Sequence, residues 1–189
     1  MSVGDPVLAA ALLAELGEGQ VRESFGQATA QVPLRCWVRA ARLAQDSLGC
    51  TMFDHLCVHD CGGPAESGLG WEVVAHVVRP ISCAGLLLGT TLVGEDVLPS
   101  ITDVWAGAGW HEREAAEMAG IEVSGHPDLR PLLLSTGVGV HPLRKDVLLV
   151  SRAVRPWPGR LEPGESGHGG AGRRRAAAPG LPPEGWGAP

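Results

Sequence analysis

The sequence predicts an α+β fold with a mostly antiparallel or mixed sheet, flanking helices and an extended C-terminal segment. Three observations support this prediction. The middle of the chain holds three strand-like runs separated by short turns. Capped apolar stretches precede these runs, and another helical stretch follows them. Beyond residue 120, closely spaced prolines exclude a continuous helix.

Two helices are expected before the sheet. Asp5 and Pro6 suit the start of the first and Gly17 suits its end, around the stretch VLAAALLAEL. The second is expected over about 33–48, with apolar residues recurring on one face. After the sheet, Ser100–Ala119 is predicted to be helical in two pieces, because interior glycines weaken a helix.

The strand candidates are Thr51–His59, Trp71–Arg79 and Gly85–Val93. They contain β-branched residues and partial apolar alternation, and short turn-rich connections favour antiparallel pairing. From residue 121 to about 150, the sequence predicts irregular chain whose apolar content requires something to pack against. The segment 159–189 contains nine glycines and five prolines, so it is expected to be a disordered tail.

Composition excludes several classes of function. At 189 residues and net charge −6, the chain is long enough for one domain with a core and gives no reason to expect nucleic-acid binding. No apolar run approaches the ~20 residues of a membrane span, and the N-terminus does not look like a signal peptide. Five cysteines without a secretion signal indicate free thiols in a reducing cytosol. No nucleotide-binding or nucleophile-elbow motif is present.

Metal-competent residue types alternate along the first strand candidate: His55, Cys57, His59 and Cys61. On one strand they would share a face, but alternate side chains ~6.6 Å apart cannot all reach one ion. Two of them together with another cysteine would be needed, and the simpler interpretation is thiols and histidines hydrogen-bonded in a sheet. A second pair, His111 and Glu114, has helical spacing but lacks a third ligand.

Four blocks between Trp110 and Asp146 carry the strongest signal in the sequence. They are Glu112-Arg113-Glu114 with Glu117-Met118, then Gly120-Ile121, then Gly125-His126-Pro127-Asp128-Leu129-Arg130, and His141-Pro142-Leu143-Arg144-Lys145-Asp146. In this order and spacing they resemble the hydrophilic C subunit, or thirty-kilodalton subunit, of the proton-pumping NADH:quinone oxidoreductase, respiratory complex I. The looser resemblance covers about residues 30–158. Ala119 and Val123 depart from it, because the family usually has aromatic residues near these positions, which marks a divergent member.

The resemblance implies a non-catalytic structural subunit that links the electron-input arm to the quinone-reducing module. It implies no cofactor in this chain, since iron–sulfur clusters, FMN and quinone belong to the assembled complex. The implied partners are the large D subunit (the forty-nine-kilodalton type) and the B subunit, which holds the terminal cluster, with the iron–sulfur input subunits as further candidates. The implied location is peripheral, at the cytoplasmic face of the bacterial plasma membrane. Alternatives are the equivalent subunit of a membrane-bound hydrogenase or other quinone reductase with a non-NADH donor, and a small free-standing metal-binding protein.

The resemblance also divides the chain into an N-terminal helix and variable segment at 1–30, a family domain at 31–158 and the tail at 159–189. It places the contacts with neighbouring subunits on Trp110–Glu117, Gly125–Arg130 and His141–Asp146. From composition alone, the same blocks would be a solvated helix start and ordinary surface turns. The expected interface residues are Trp110, Glu112, Arg113, Glu114, Glu117, His126, Pro127, Asp128, Arg130, His141, Pro142, Arg144, Lys145 and Asp146.

Overall fold

The computed structural model describes residues 3–61, 70–135, 138–145 and 147, which lie within one compact unit spanning 1–147. The helices are α1 (Pro6–Leu16), α2 (Trp37–Asp46) and α3 (Ala108–Ala119), and a single 3-10 turn, Leu34–Cys36, precedes α2. The strands are β1 (Gln20–Ser24), β2 (Gln27–Gln31), β3 (Met52–Asp60), β4 (Trp71–Arg79), β5 (Ala84–Leu92), β6 (Leu98–Pro99) and β7 (Val123–Ser124).

The main sheet is mixed, which confirms the predicted α+β class. Its order is β1-β2-β5-β4-β3. All neighbouring pairs are antiparallel except β2 and β5, which run parallel. A parallel pair needs a crossover connection, and here the chain between β2 and β5 contains α2, β3 and β4. The two short strands β6 and β7 form a separate parallel pair.

The core lies between the sheet and the first two helices. Leu12 and Trp37 are fully buried there, together with sheet residues such as Val77 and Leu88. The Asp5 side chain accepts the Val7 N–H at the start of α1, as its sequence predicts. The expected domain boundary between residues 30 and 31 falls inside β2, and α1 packs on β2 and β5, so the residues before that boundary belong to the same core.

Two predicted elements differ from the structure. The stretch 18–31, for which the sequence predicts no strand, contains the β1–β2 hairpin. Every residue of β1 is exposed, so apolar alternation could not reveal this strand. The expected helix over Ser100–Ala119 is helical only from Ala108. Residues before it form turns, held by Glu112, which accepts the Ile101 N–H, and by Gln45, which donates to the Val104 carbonyl. These tertiary bonds hold the chain out of a helix.

Within the described part of the chain, no helix combines the length and apolar character that crossing a bilayer requires. The segment after α3 has little regular structure, as expected, apart from the two residues of β7. The predicted disordered tail at 159–189 lies outside the described residues.

Candidate functional site: the surface formed by α3 and the segment that follows it

The helix α3 carries the first predicted block, and its residues have distinct environments. Trp110 is 62% exposed, whereas Glu112 is fully buried. The Arg113 guanidinium lies 5.5 Å from the centre of the Trp110 ring, within the range of a cation–π contact. The helix ends at Gly120, whose φ of 74° is left-handed, as is common for a residue that ends a helix. This end turns the chain back along α3.

Glu112 stabilises the loop that precedes the helix. Its Oε1 accepts the Ile101 backbone N–H at 2.8 Å, and its Oε2 accepts the Ser100 hydroxyl at 2.6 Å. Burial raises the pKa of Glu112, and these two hydrogen bonds and the nearby His126 oppose that rise. Because the carboxylate is buried and hydrogen-bonded to Ser100 and Ile101 of this chain, its role is to hold these two residues in place. Glu112 therefore does not lie on the surface of this chain, where the sequence analysis places an interface residue.

The side chains of His126 and Asp128 hold the third block, Gly125–Arg130, in an ordered turn. The His126 Nε2–H donates to the Gly109 carbonyl at 3.0 Å, and its Nδ1 accepts the Asp128 backbone N–H at 3.0 Å. These partners define the neutral tautomer with the proton on Nε2. Asp128 accepts from Arg130 at 2.7–3.0 Å, and Arg130 is the first cause of the lowered pKa of Asp128. Arg130 thus reaches the surface already paired with Asp128, beside the exposed Pro127.

Two side chains of α3 hold the irregular segment after this turn. The Glu117 carboxylate accepts the backbone N–H groups of Leu132, Leu133 and Leu134 at 2.7–3.0 Å. Arg113 donates to the carbonyls of Arg130 and Pro131 at 2.7–3.0 Å. The Glu117 carboxylate therefore accepts from three successive backbone N–H groups, and the Arg113 guanidinium donates to two successive backbone carbonyls. These contacts satisfy backbone groups of a segment that is neither helix nor strand.

The fourth block, His141–Asp146, is hydrogen-bonded to the end of α3. His141 Nδ1–H donates to the Glu117 carbonyl at 2.8 Å, and the Leu143 N–H donates to the Met118 carbonyl at 2.8 Å. A Cβ added at Gly120 would lie 2.6 Å from the His141 ring. Lys145 Nζ donates to the Asp60 carbonyl at 3.1 Å, next to the end of β3. Pro142 and Arg144 are half-buried beside these contacts, and Asp146 lies outside the described residues.

This arrangement leaves apolar side chains exposed. The large apolar residues at least 41% exposed on the segment are Leu129, Leu133, Val138, Val140 and Leu143. A groove of about 360 Å³ lies between this segment and α3, lined by Leu129, Leu134, Val138 and Val140 among others. We call the surface formed by Trp110 and by residues 129–135 and 138–143 the apolar rim. Exposed apolar residues gathered in one place mark protein contacts more often than scattered ones do.

The structure brings most of the predicted interface residues to one surface. Trp110, Arg113, Glu117, Arg130 and His141 all lie on α3 or on the chain fastened to it, and Glu114 is exposed on the same helix. Sequence reasoning missed Ser100, Ile101 and Asp60. Nothing in their local sequence marks them, because their partners are distant along the chain. Gly120, by contrast, can be recognised in the sequence, because glycine is common at the left-handed position that ends a helix.

The candidate metal residues of β3 are divided between two groups. His55 joins Asp54 and His76, whereas His59 and Cys61 join Glu72. Cys57 belongs to neither group, so the four alternating residues do not share one site. His111 and Glu114 likewise belong to no metal-competent group among the described residues; the His111 ring contacts Phe53 edge-on at 5.5 Å.

Comparisons with known proteins agree with this architecture. The family described as "Respiratory-chain NADH dehydrogenase, 30 Kd subunit" matches residues 30–153. The C subunit of the NADH-quinone oxidoreductase of Mesorhizobium japonicum is 36% identical over 138 residues, covering 69% of this chain and 68% of the relative. The C subunit of Azorhizobium caulinodans is 35% identical, with 65% and 58% covered, and that of Burkholderia mallei 34%, with 74% of each covered. The chain thus spans less than two thirds of the Azorhizobium relative.

A solved structure shares the fold. It is that of the membrane-bound sulfane sulfur reductase, an archaeal respiratory membrane complex. The TM-score is 0.59 at 15% identity, covering 82% of this chain and 98% of that one. The family match over residues 30–153 includes β3, β4, β5, α3 and the apolar rim, whereas β1 and most of β2 precede it. The chain belongs to the respiratory-chain NADH dehydrogenase 30 Kd subunit family.

Proposed function

We propose that this chain is a scaffold subunit of a proton-translocating NADH:quinone oxidoreductase and carries no electron-transfer cofactor of its own. In this role it joins the electron-input arm to the quinone-reducing module. The observation that carries the proposal is the apolar rim, which Glu117 and Arg113 fasten to α3. A pre-ordered surface binds a partner with a smaller loss of conformational entropy than a loose segment would.

The chemistry of the rim suits a protein partner. Trp110 is an exposed aromatic residue, and such residues often dominate binding energy when a partner covers them. Two exposed cations accompany these apolar residues: Arg130, which lies within the rim and is paired with Asp128, and Lys145, which follows the rim in sequence. Exposed cations suit acidic groups of a partner. Glu112, Glu117 and His126 act inside this chain by holding the surface in shape.

The partners that suit this role are the large D subunit and the terminal-cluster B subunit of the quinone-reducing module, with the iron–sulfur input subunits as further neighbours. The chain would then lie at the cytoplasmic face of the plasma membrane and be held there by the complex. Electron transfer, quinone reduction and proton translocation would belong to the assembly.

A second assembly is favoured by one observation, the fold shared with a chain of an archaeal sulfane sulfur reductase. The same rim would serve in a membrane-bound hydrogenase or another oxidoreductase whose electron donor is not NADH. Ala119 and Val123, where the family usually has aromatic residues, fit a divergent member of either assembly.

The test is affinity purification of the tagged chain from detergent-solubilised membranes of its source, with subunits identified by mass spectrometry. Recovery of the D and B subunits together with NADH-oxidising subunits is expected. Recovery of the D and B subunits with hydrogenase or other input subunits would select the second assembly. Recovery of the chain alone from the soluble fraction would contradict both.

A further inference from the structure

Three metal-ligating side chains converge where β3 is irregular. His55 pairs with His76 of β4 across the sheet, and the strand register shifts between Phe53 and His55. In a regular strand, Asp54 and His55 would point to opposite faces. Here the irregularity redirects one of them, and the Asp54 Oδ2 lies 2.8 Å from His76 Nδ1 and 3.2 Å from His55 Nδ1. Strand irregularities of this kind often re-aim a side chain at functional sites.

We propose that Asp54, His55 and His76 form a binding site for a divalent transition-metal ion, with Zn²⁺ as the preferred occupant. The ligand atoms are the Asp54 Oδ2 and the Nδ1 atoms of both imidazoles, and a water molecule takes the fourth position. The site is independent of the scaffold role. It differs from the alternating residues of β3 that the sequence suggested, because only His55 is common to both sets.

The observed distances suit tetrahedral coordination. Zinc bonds to histidine and aspartate are ~2.0–2.1 Å long, so ligand atoms at the corners of a tetrahedron lie ~3.3 Å apart. The two carboxylate–imidazole distances of 2.8 and 3.2 Å are already close to that value, and each of the three residues offers a possible ligand atom within 4.8 Å of one on each of the other two. A small movement of the two imidazoles would complete the geometry.

The ligand types select the class of ion. Two imidazoles and one carboxylate suit zinc and its transition-metal neighbours, whereas magnesium and calcium prefer oxygen ligands. With both imidazoles neutral, the site carries the single negative charge of Asp54, which attracts a cation. The His76 side chain is 9% exposed and fixed on a central part of the sheet. Those of Asp54 and His55 are 48% and 42% exposed, so the ion can enter from solvent.

Metal binding requires a proton rearrangement in each of the two imidazoles. Each neutral imidazole that now donates from Nδ1 to Asp54 must move its proton to Nε2, which frees the Nδ1 lone pair for the ion. In His76 the Nε2 atom is buried without a hydrogen-bond partner among the described residues. After the rearrangement, the buried Nε2 of His76 carries a proton without an acceptor, whereas before it carried a lone pair without a donor. The number of unpaired buried polar atoms in His76 therefore does not rise.

The neighbouring group of His59, Cys61 and Glu72 is less suited to an ion. The Glu72 carboxylate is already paired with the Arg22 guanidinium and lies 3.1 Å from His59 Nε2. A metal ion there would have to displace or tolerate that fixed cation. This group therefore provides a control, because His59 lies on the same strand as His55 and is similarly exposed.

The experiment is a calorimetric Zn²⁺ titration of the full chain after removal of metal with a chelator, repeated with Co²⁺ to record the absorption of a tetrahedral complex. One equivalent should bind. His55→Ala and Asp54→Asn should each weaken binding at least ~10-fold and abolish the Co²⁺ spectrum, whereas His59→Ala should change neither. Both altered side chains are about half exposed, and circular dichroism of each variant verifies folding. Absence of stoichiometric binding would overturn the proposal. Binding that survives His55→Ala and Asp54→Asn, or that is lost in His59→Ala, would overturn it as well.

Discussion

The Glu117 carboxylate lies 2.7 Å from the backbone nitrogen of Leu133 and also accepts the amides on either side of it. The Leu133 side chain is 59% exposed as a result. One carboxylate on α3 thus orders a segment that lacks helix or strand partners and presents its apolar side chains outward. This relationship connects the helix, which the family resemblance singled out, to the surface proposed to bind other subunits.

Replacement of Glu117 should loosen this segment without unfolding the domain. In Glu117→Ala, the amides of Leu132, Leu133 and Leu134 lose their shared acceptor, so their hydrogen exchange should accelerate while exchange in β4 and β5 stays unchanged. The matched control is Glu114→Ala, because Glu114 is exposed one turn earlier on α3 and accepts none of these amides. Equal acceleration in both variants would contradict the role assigned to Glu117.

The same contact predicts a pH dependence. The Leu133 N–H, followed by those of Leu134 and Leu132 and by the charge of Arg113, lowers the pKa of Glu117 in the folded chain. A lowered folded pKa means that this stabilisation is complete above the unfolded value of about 4.3 and is lost as pH falls through the folded pKa. Amide protection of residues 132–134 should therefore decrease selectively only as the pH falls below about 4.3. In Glu117→Gln that selective decrease should be absent.

Glu112 should tolerate an amide much better than a truncation. Glu112→Ala leaves the buried Ile101 N–H without an acceptor and opens a cavity, so we expect a loss of about 2–4 kcal/mol in the free energy of unfolding. Glu112→Gln keeps the acceptor and should cost under ~1.5 kcal/mol. Burial raises the folded pKa of Glu112, so its ionisation opposes folding as pH rises through that pKa. The Gln variant should lack this decline. Equal losses in both variants by denaturant unfolding would contradict this account.

Alanine substitutions at two glycines should distinguish the cost of backbone strain from the cost of a side-chain clash. Gly120 and Gly125 have φ values of 74° and 75°. A Cβ at Gly125 would meet nothing within 4 Å, whereas one at Gly120 would meet the His141 ring at 2.6 Å. Gly125→Ala should lose only the ~1–2 kcal/mol of left-handed strain. Gly120→Ala should lose a further ~1–3 kcal/mol and displace His141. Equal thermal denaturation midpoints of the two variants would show that the His141 contact contributes nothing.

The apolar rim should be required for assembly but not for folding. Leu133→Asp places a charge at a site that is exposed in the chain, so stability should change by less than ~0.5 kcal/mol. Recovery of partner subunits from membranes should nevertheless fall strongly. Ile81→Asp is the matched control, because Ile81 is 99% exposed in the turn before β5 and is not part of the rim. Normal recovery with Leu133→Asp would remove this residue from the interface.

The predictable parts of this molecule are those with local causes. The caps of α1 and the alternating apolar residues of β4 lie within a few residues of the structure they specify. The β1–β2 hairpin was missed because β1 buries nothing. The four family blocks identified the surface formed by α3 and the chain bound to it. They did not reveal that Glu112 is buried, because that depends on its hydrogen bond with Ile101, eleven residues away. The Asp54–His55–His76 group depends on a strand irregularity and a cross-strand pairing, neither of which alternation along one strand can reveal.

The most direct test of the scaffold account is covalent footprinting of Trp110 and residues 129–143 in the free chain and in the purified membrane complex. Trp110, Leu129, Leu133 and Leu143 are exposed in the chain alone and should be labelled readily there. The account predicts that their labelling falls strongly in the complex, while labelling of Phe25 and Ile81, both almost fully exposed in turns of the sheet, changes less. Equal labelling of the rim in both states would contradict the claim that this surface joins the chain to its partners.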